Sequence, residues 1–154
     1  MYKANLMKKL CNCGGLMILH MHSLIVNAKA RITHVPVYTC RECASYEPLS
    51  FIKADLGKLV RELTGQSPVG DFSFTTRNEL ASVLKESLSE RIIGGFQELE
   101  MMIQEVIQAR VDMLLDIYRI AGALADPHWM EDTSRRLAQL TFQRTENANY
   151  KKIV

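Results

Sequence analysis

The hydrophobic pattern changes period once along the chain, near Pro48. Before that point the apolar residues come in short extended runs. Leu16 to Val26 is apolar and closes on Leu24-Ile25-Val26, while Arg31 to Thr39 alternates and is rich in β-branched residues. Both have the length and side chains of strands, and Asn27 to Ala30 turns the chain between them. The spacing predicts a β-hairpin over residues 16–39. Pro36 has no amide hydrogen to give a ladder, which places it at a sheet edge or a bulge. Residues 1–10 read as a polar, basic lead-in.

Beyond Pro48 the period becomes three to four. Phe51, Ile52, Leu56, Leu59, Val60 and Leu63 predict a helix near 49–64, with Gly65 as its stop. Gln66 to Thr75, with Ser67-Pro68-Val69-Gly70-Asp71, reads as a loop and a candidate linker. Thr76 and Glu79 have capping-box spacing and open the next helix. Apolar residues then recur from Leu80 through Val83, Leu88, Ile92, Phe96, Ile103, Ile107, Leu114 and Tyr118 to Leu124, interrupted by Gly94-Gly95. Unbroken from 77 to 125, this helix would reach about 73 Å at ~1.5 Å per residue. One small chain cannot bury such a rod. Either it breaks at the glycine pair or a second chain covers it, and homodimerisation is the expectation. A charge at Ile103 or Leu114 would then disrupt the seam. Asp126 as N-cap and Pro127 at the first position start a last helix near 127–145, and a polar tail, 145–152, follows.

The four cysteines change this picture. Cys11 and Cys13 precede the hairpin, and Cys40 and Cys43 follow it, so closing the hairpin brings both pairs together. Four thiolates at ~2.3 Å from a zinc ion stand about 3.8 Å from one another. Cys40-Arg41-Glu42-Cys43 reaches this on a tight turn; Cys11-Asn12-Cys13 needs a sharper bend, which Gly14-Gly15 can supply. His20, His22 and His34 are the alternative donors should one member of the first pair not bind. Unligated thiols and a redox pair are the other readings, and zinc is preferred. The expected fold class is α+β: a zinc-ribbon-like hairpin module over 1–48, then an all-helical body over 49–154 with one long helix and a linker at about 66–75.

Composition sets the limits on function. A chain of 154 residues fits one domain or one domain with a small module, and 47% apolar with 23% charged residues excludes disorder throughout. The net charge of +2 argues neither for nor against nucleic acid. Lys3, Lys8, Lys9, Lys29, Arg31 and Arg41 stand against only Glu42 and Glu47 in the first 50 residues, so the module is the basic part. Lys8-Lys9 and the following apolar run imitate a signal peptide, but Cys-Asn-Cys-Gly-Gly and two histidines interrupt it. No segment reaches the roughly 18 uninterrupted apolar residues of a membrane span. The expected compartment is the cytoplasm, where reduced thiols favour metal over disulfide.

The order Cys-Gly-Gly, a strand pair, then Ile32-Thr33-His34-Val35-Pro36-Val37-Tyr38-Thr39-Cys40-Arg41-Glu42-Cys43 resembles the YgiT-type zinc finger, the N-terminal domain of MqsA-like antitoxins. The likeness covers residues 10–60, and Val-Pro-Val before the second cysteine pair is its specific part. It implies zinc on Cys11, Cys13, Cys40 and Cys43, a bacterial cytoplasmic setting and, in some members, a protein partner. Two positions depart from the pattern: Asn12 stands alone between the first cysteines, and Ala44 occupies the place of a glycine. The helix-turn-helix of those antitoxins has no counterpart beyond residue 65.

A zinc with four thiolates has no open position, and no phosphate loop or nucleophile elbow occurs, so no enzyme is expected. Glu98, Glu100, Glu105 and Asp112 read as a solvated helix face. The expected function is that of a zinc-binding regulatory or adaptor protein acting on a protein partner, with the helical region dimerising. The alternative is a nucleic-acid-binding, DNA-binding regulator that uses the basic module.

Overall fold

The computed structural model describes residues 5–89 and 95–141. It joins an N-terminal antiparallel sheet, curved into a half-barrel, to a helical body with one long helix. Strands β1 (Lys8–Leu10), β2 (Leu16–Asn27), β3 (Ala30–Cys40) and β4 (Tyr46–Pro48) form an antiparallel meander in that order. Asn27 turns the hairpin by accepting from the amides of Lys29 and Ala30, both at 2.9 Å. β5 (Gly70–Ser73) then joins the other side of β3 in parallel.

Pro36 is accommodated by a gap. On that side of β3, β5 pairs Ala30 to Thr33 and β4 pairs Val37 to Thr39. Pro36 lies between the two, so its missing donor breaks no bond there. Its carbonyl accepts from Leu49 N at 3.1 Å. His34, in the same gap, takes a left-handed backbone (φ 60°).

A 3-10 turn (Ser50–Ile52) leads into α1 (Lys53–Gln66), which ends on Ser67 in the left-handed region. The stretch expected to be a loop, 66–75, contains β5 and the start of a second 3-10 turn (Phe74–Thr76). Gly70 and Asp71 look like turn formers, yet pairing with β3 overrides them. The following helix, α2 (Glu79–Ser89), is capped by Asn78 rather than Thr76: Asn78 Oδ1 accepts from Ala81 N at 3.0 Å. Glu79 is thereby free for ion pairs.

The long apolar stretch is two helices. Gly95 is extended (φ −84°, ψ −177°) and heads α3 (Phe96–Ala123); Gly94 lies outside the described residues. Arg110 of α3 reaches back to Glu79, at 2.8 Å, and to Glu86, at 3.0 Å. Asp126 accepts from Trp129 N at 3.0 Å and opens α4 (Pro127–Leu140), as the Asp-Pro pair requires. The tail expected at 145–152 lies outside the described residues.

One core joins sheet and helices, with Leu6, Leu19, Val35, Ile52, Phe74, Leu84, Ile103, Leu114 and Leu140 among its members. Ile103 and Leu114 are 0% exposed. They face the chain's own interior and not a seam between copies.

Candidate metal centre

Two tight turns bring the four cysteines to one end of the sheet. Cys11 follows β1 and Cys13 lies in the turn before β2; Cys40 is the last residue of β3 and Cys43 lies in the turn before β4. The first turn closes by Cys11 N donating to Gly15 O and Gly14 N to Cys11 O, each at 2.9 Å. The second closes by Cys40 N donating to Ser45 O at 2.8 Å. Each turn reverses on a left-handed residue just before its closing position, Gly14 (φ 91°) in one and Ala44 (φ 60°) in the other. Because Met17 sits opposite Cys40 in the β2–β3 ladder, the hairpin register sets both turns side by side.

All four sulfurs lie within 4.8 Å of one another, close enough to hold a metal ion. Cys11 Sγ to Cys43 Sγ is 3.6 Å and Cys13 Sγ to Cys40 Sγ is 3.5 Å, so both contacts across the two turns already match a tetrahedral edge. The bend that Cys-x-Cys requires is present. Among the described residues, the cluster holds the four cysteines and no histidine. His20 instead bonds to the Thr39 hydroxyl and stacks edge-on against His22, and His34 Nδ1 is 3.0 Å from Ser73 Oγ.

Backbone amides also face the sulfurs. Gly15 N donates to Cys13 Sγ and Glu42 N to Cys40 Sγ, each at 3.4 Å. Such bonds orient thiolate ligands and spread their charge. Ser45 Oγ lies 3.1 Å from Cys43 Sγ. Its hydroxyl and amide, aided by Cys13 and Cys11, lower the Cys43 thiol to about 6. At Cys13 the Gly15 amide lowers the thiol, but the three neighbouring thiols outweigh it and push it up to about 12. Four like charges cannot gather without a cation.

Gly15 is the residue that sequence reasoning valued for flexibility but that matters for space. A Cβ there would stand 2.9 Å from Cys40 Sγ and 2.7 Å from Glu42 Cγ. Nothing in the residue type of Ser45 marks it in the sequence as a neighbour of sulfur.

Four sulfur donors from two turns could hold a soft or borderline cation. No protein-family model, curated protein or solved structure matches the chain. No helix among the described residues is long and apolar enough to cross a membrane.

Proposed function

We propose that this chain is a non-enzymatic zinc-binding regulatory or adaptor protein that works through protein–protein contact in the cytoplasm. The observation that carries this reading is the convergence of Cys11, Cys13, Cys40 and Cys43 within 4.8 Å. A zinc ion on these four thiolates is structural: it ties β1 and the β3–β4 turn to the hairpin and couples metal binding to folding. The likeness of residues 10–60 to YgiT-type zinc fingers supports the same metal and a protein partner. The helical body supplies the interaction surface and the homodimer contact.

The nucleic-acid reading has less support. Of the basic residues that would serve it, Lys9 pairs with Glu47 and Arg31 pairs with Asp71 through 2.7 and 3.1 Å bonds. Charges already partnered release fewer counterions on meeting phosphate.

Native mass spectrometry of chain purified without added metal or chelator tests the proposal. The expected result is one zinc per chain; a metal-free chain that also takes up none on titration with zinc overturns it. Binding of a DNA or RNA pool with a steep salt dependence would favour the alternative.

A further inference from the structure

The four sulfurs are not equivalent. Cys13 and Cys43 are exposed and Cys11 is half-buried, whereas Cys40 is 2% exposed. An open cleft of about 490 Å³ is lined by Cys11, Cys13 and Cys43 together with Lys9 and Ser45, and Cys40 does not line it. A small solute that enters the cleft meets three of the cysteines and not the fourth.

The sulfur contacts run across the two turns. Cys11 Sγ lies 3.6 Å from Cys43 Sγ, and Cys13 Sγ lies 3.5 Å from Cys40 Sγ. A disulfide holds its sulfurs at ~2.05 Å, so either bond needs an approach of about 1.5 Å. Both members of the first pair border the cleft, while the second pair has one member in the core. A bond from Cys11 to Cys43 would join the end of β1 to the turn between β3 and β4. Those are the segments that a metal on all four sulfurs ties together.

We propose that hydrogen peroxide converts Cys11 and Cys43 to a disulfide, and that this cross-link replaces the metal as the tie between β1 and the β3–β4 turn. This oxidative control of the same site rests on the metal reading above. In the first step the Cys43 sulfur attacks one peroxide oxygen. An S–O bond forms, the O–O bond breaks and the second oxygen leaves as hydroxide, so Cys43 is oxidised to a sulfenic acid and the peroxide is reduced. In the second step the Cys11 sulfur attacks the Cys43 sulfur, the S–S bond forms and the S–O bond breaks with loss of another hydroxide. Two thiolates, one hydrogen peroxide and two protons become one disulfide and two waters. Cys43 is attacked first because it is exposed, and Cys11, half-buried beside it, is the resolving thiol. Cys13 and Cys40 alone are half of the four-ligand set of a structural zinc, so the metal is lost. A bond within one turn, Cys11 to Cys13 or Cys40 to Cys43, would release metal too but would leave β1 untied. The pairing decides whether this end of the sheet survives oxidation.

The test treats the zinc-loaded full chain with hydrogen peroxide. Zinc release is read with a chromophoric indicator, disulfide partners by peptide mass spectrometry after free thiols are blocked at acid pH, and the tie by amide exchange at residues 6–19. The expected result is loss of the bound zinc and Cys11 joined to Cys43 as the first disulfide. Exchange at 6–19 should stay close to that of the zinc-loaded chain and well below that of reduced chain stripped by a chelator. Dithiothreitol with added zinc should restore the metal content. Zinc retained under peroxide overturns the inference, as does a first disulfide between any other two cysteines, sulfinic acid without a disulfide, or exchange as fast as in the stripped chain. A chain that takes up no zinc overturns the metal reading, and peroxide treatment of that chain still decides the pairing: Cys11 to Cys43 supports the cross-link, and any other first disulfide overturns it.

Discussion

Replacing Gly15 by alanine tests the metal centre without touching a ligand. The new Cβ would stand 2.9 Å from Cys40 Sγ and 3.0 Å from Glu42 Cβ. The sulfur contact is about 0.6 Å inside the ~3.5–4.0 Å of ordinary packing. Glu42 is exposed and can move aside. Cys40 is buried and, with metal bound, fixed by its bond to the ion. The turn must therefore open or the ligand must shift, at about 1–3 kcal/mol for an overpacked position. Since ~1.4 kcal/mol is a factor of ten, zinc affinity should fall about 5- to 150-fold. Gly14→Ala is the control. Nothing lies within 4 Å of its added Cβ, but φ of 91° is unfavourable for alanine, so it should destabilise metal-free and zinc-bound protein alike. Competition for zinc against a chromophoric chelator, with thermal melts in both metal states, separates the two. Parent-like zinc affinity in Gly15→Ala would refute the argument that Cys40 cannot yield.

Other outcomes follow from the same geometry. Ala44→Gly should raise stability by about 1 kcal/mol in denaturant melts, because alanine there holds a left-handed backbone (φ 60°) that glycine adopts without strain. Zinc affinity should increase as pH rises from 6 to 8: Cys43, near 6, is then losing its own proton, while Cys13, near 12, holds a proton that zinc must displace at every pH in that range. Affinity independent of pH in competition titrations would count against it. Glu79→Ala removes the carboxylate shared by Arg110 and Arg136, on a side chain only 11% exposed, and should cost about 2 kcal/mol by urea unfolding. Chelation should speed amide exchange at residues 6–19 and in the first turns of α3 around Glu100, while the rest of α3 and α4 keep their protection, as hydrogen-exchange mass spectrometry reads.

What the sequence revealed is what local chemistry decides. The hairpin, its Asn27 turn, the Asp126-Pro127 helix start and the meeting of four cysteines each depend on neighbours in the chain or on one strand reversal. What it concealed depends on remote partners. β1 is three residues, Lys8 to Leu10, and is a strand only because β2 lies beside it. β5 carries glycine and aspartate, and becomes a strand by pairing with β3 from 40 residues away. The apolar stripe on α3 was legible, but its division was not. Ile103 and Leu114 turn toward the chain's own core, while Met113, Ile120 and Leu124 are exposed; Glu79 at the start of α2 meets Arg110 midway along α3. Ala44 was legible as a departure from a glycine position, and the backbone gives its meaning.

The shortest strand links the metal centre to the longest helix. β1 has Cys11 just beyond its C-terminal end, while just before its start Met7 N donates to the Glu100 carboxylate on the first turns of α3. Met7 O in turn accepts from Leu19 N at 2.8 Å. Leu6 and Met7 are both buried in the core, and the Tyr38 hydroxyl donates to Leu6 O at 2.8 Å. Burial raises the Glu100 carboxyl, and the amides of Met7 and Leu6 with the Lys8 charge oppose that rise. Glu100 is thus held at the edge of the core as an acceptor for a segment whose other end is fixed at the cysteines. Three ladder pairs alone make a weak strand. A metal on Cys11 would hold its far end, keep Leu6 and Met7 in the core, and preserve the amides that Glu100 needs. The cysteine centre and the seating of α3 would then be parts of one mechanical unit.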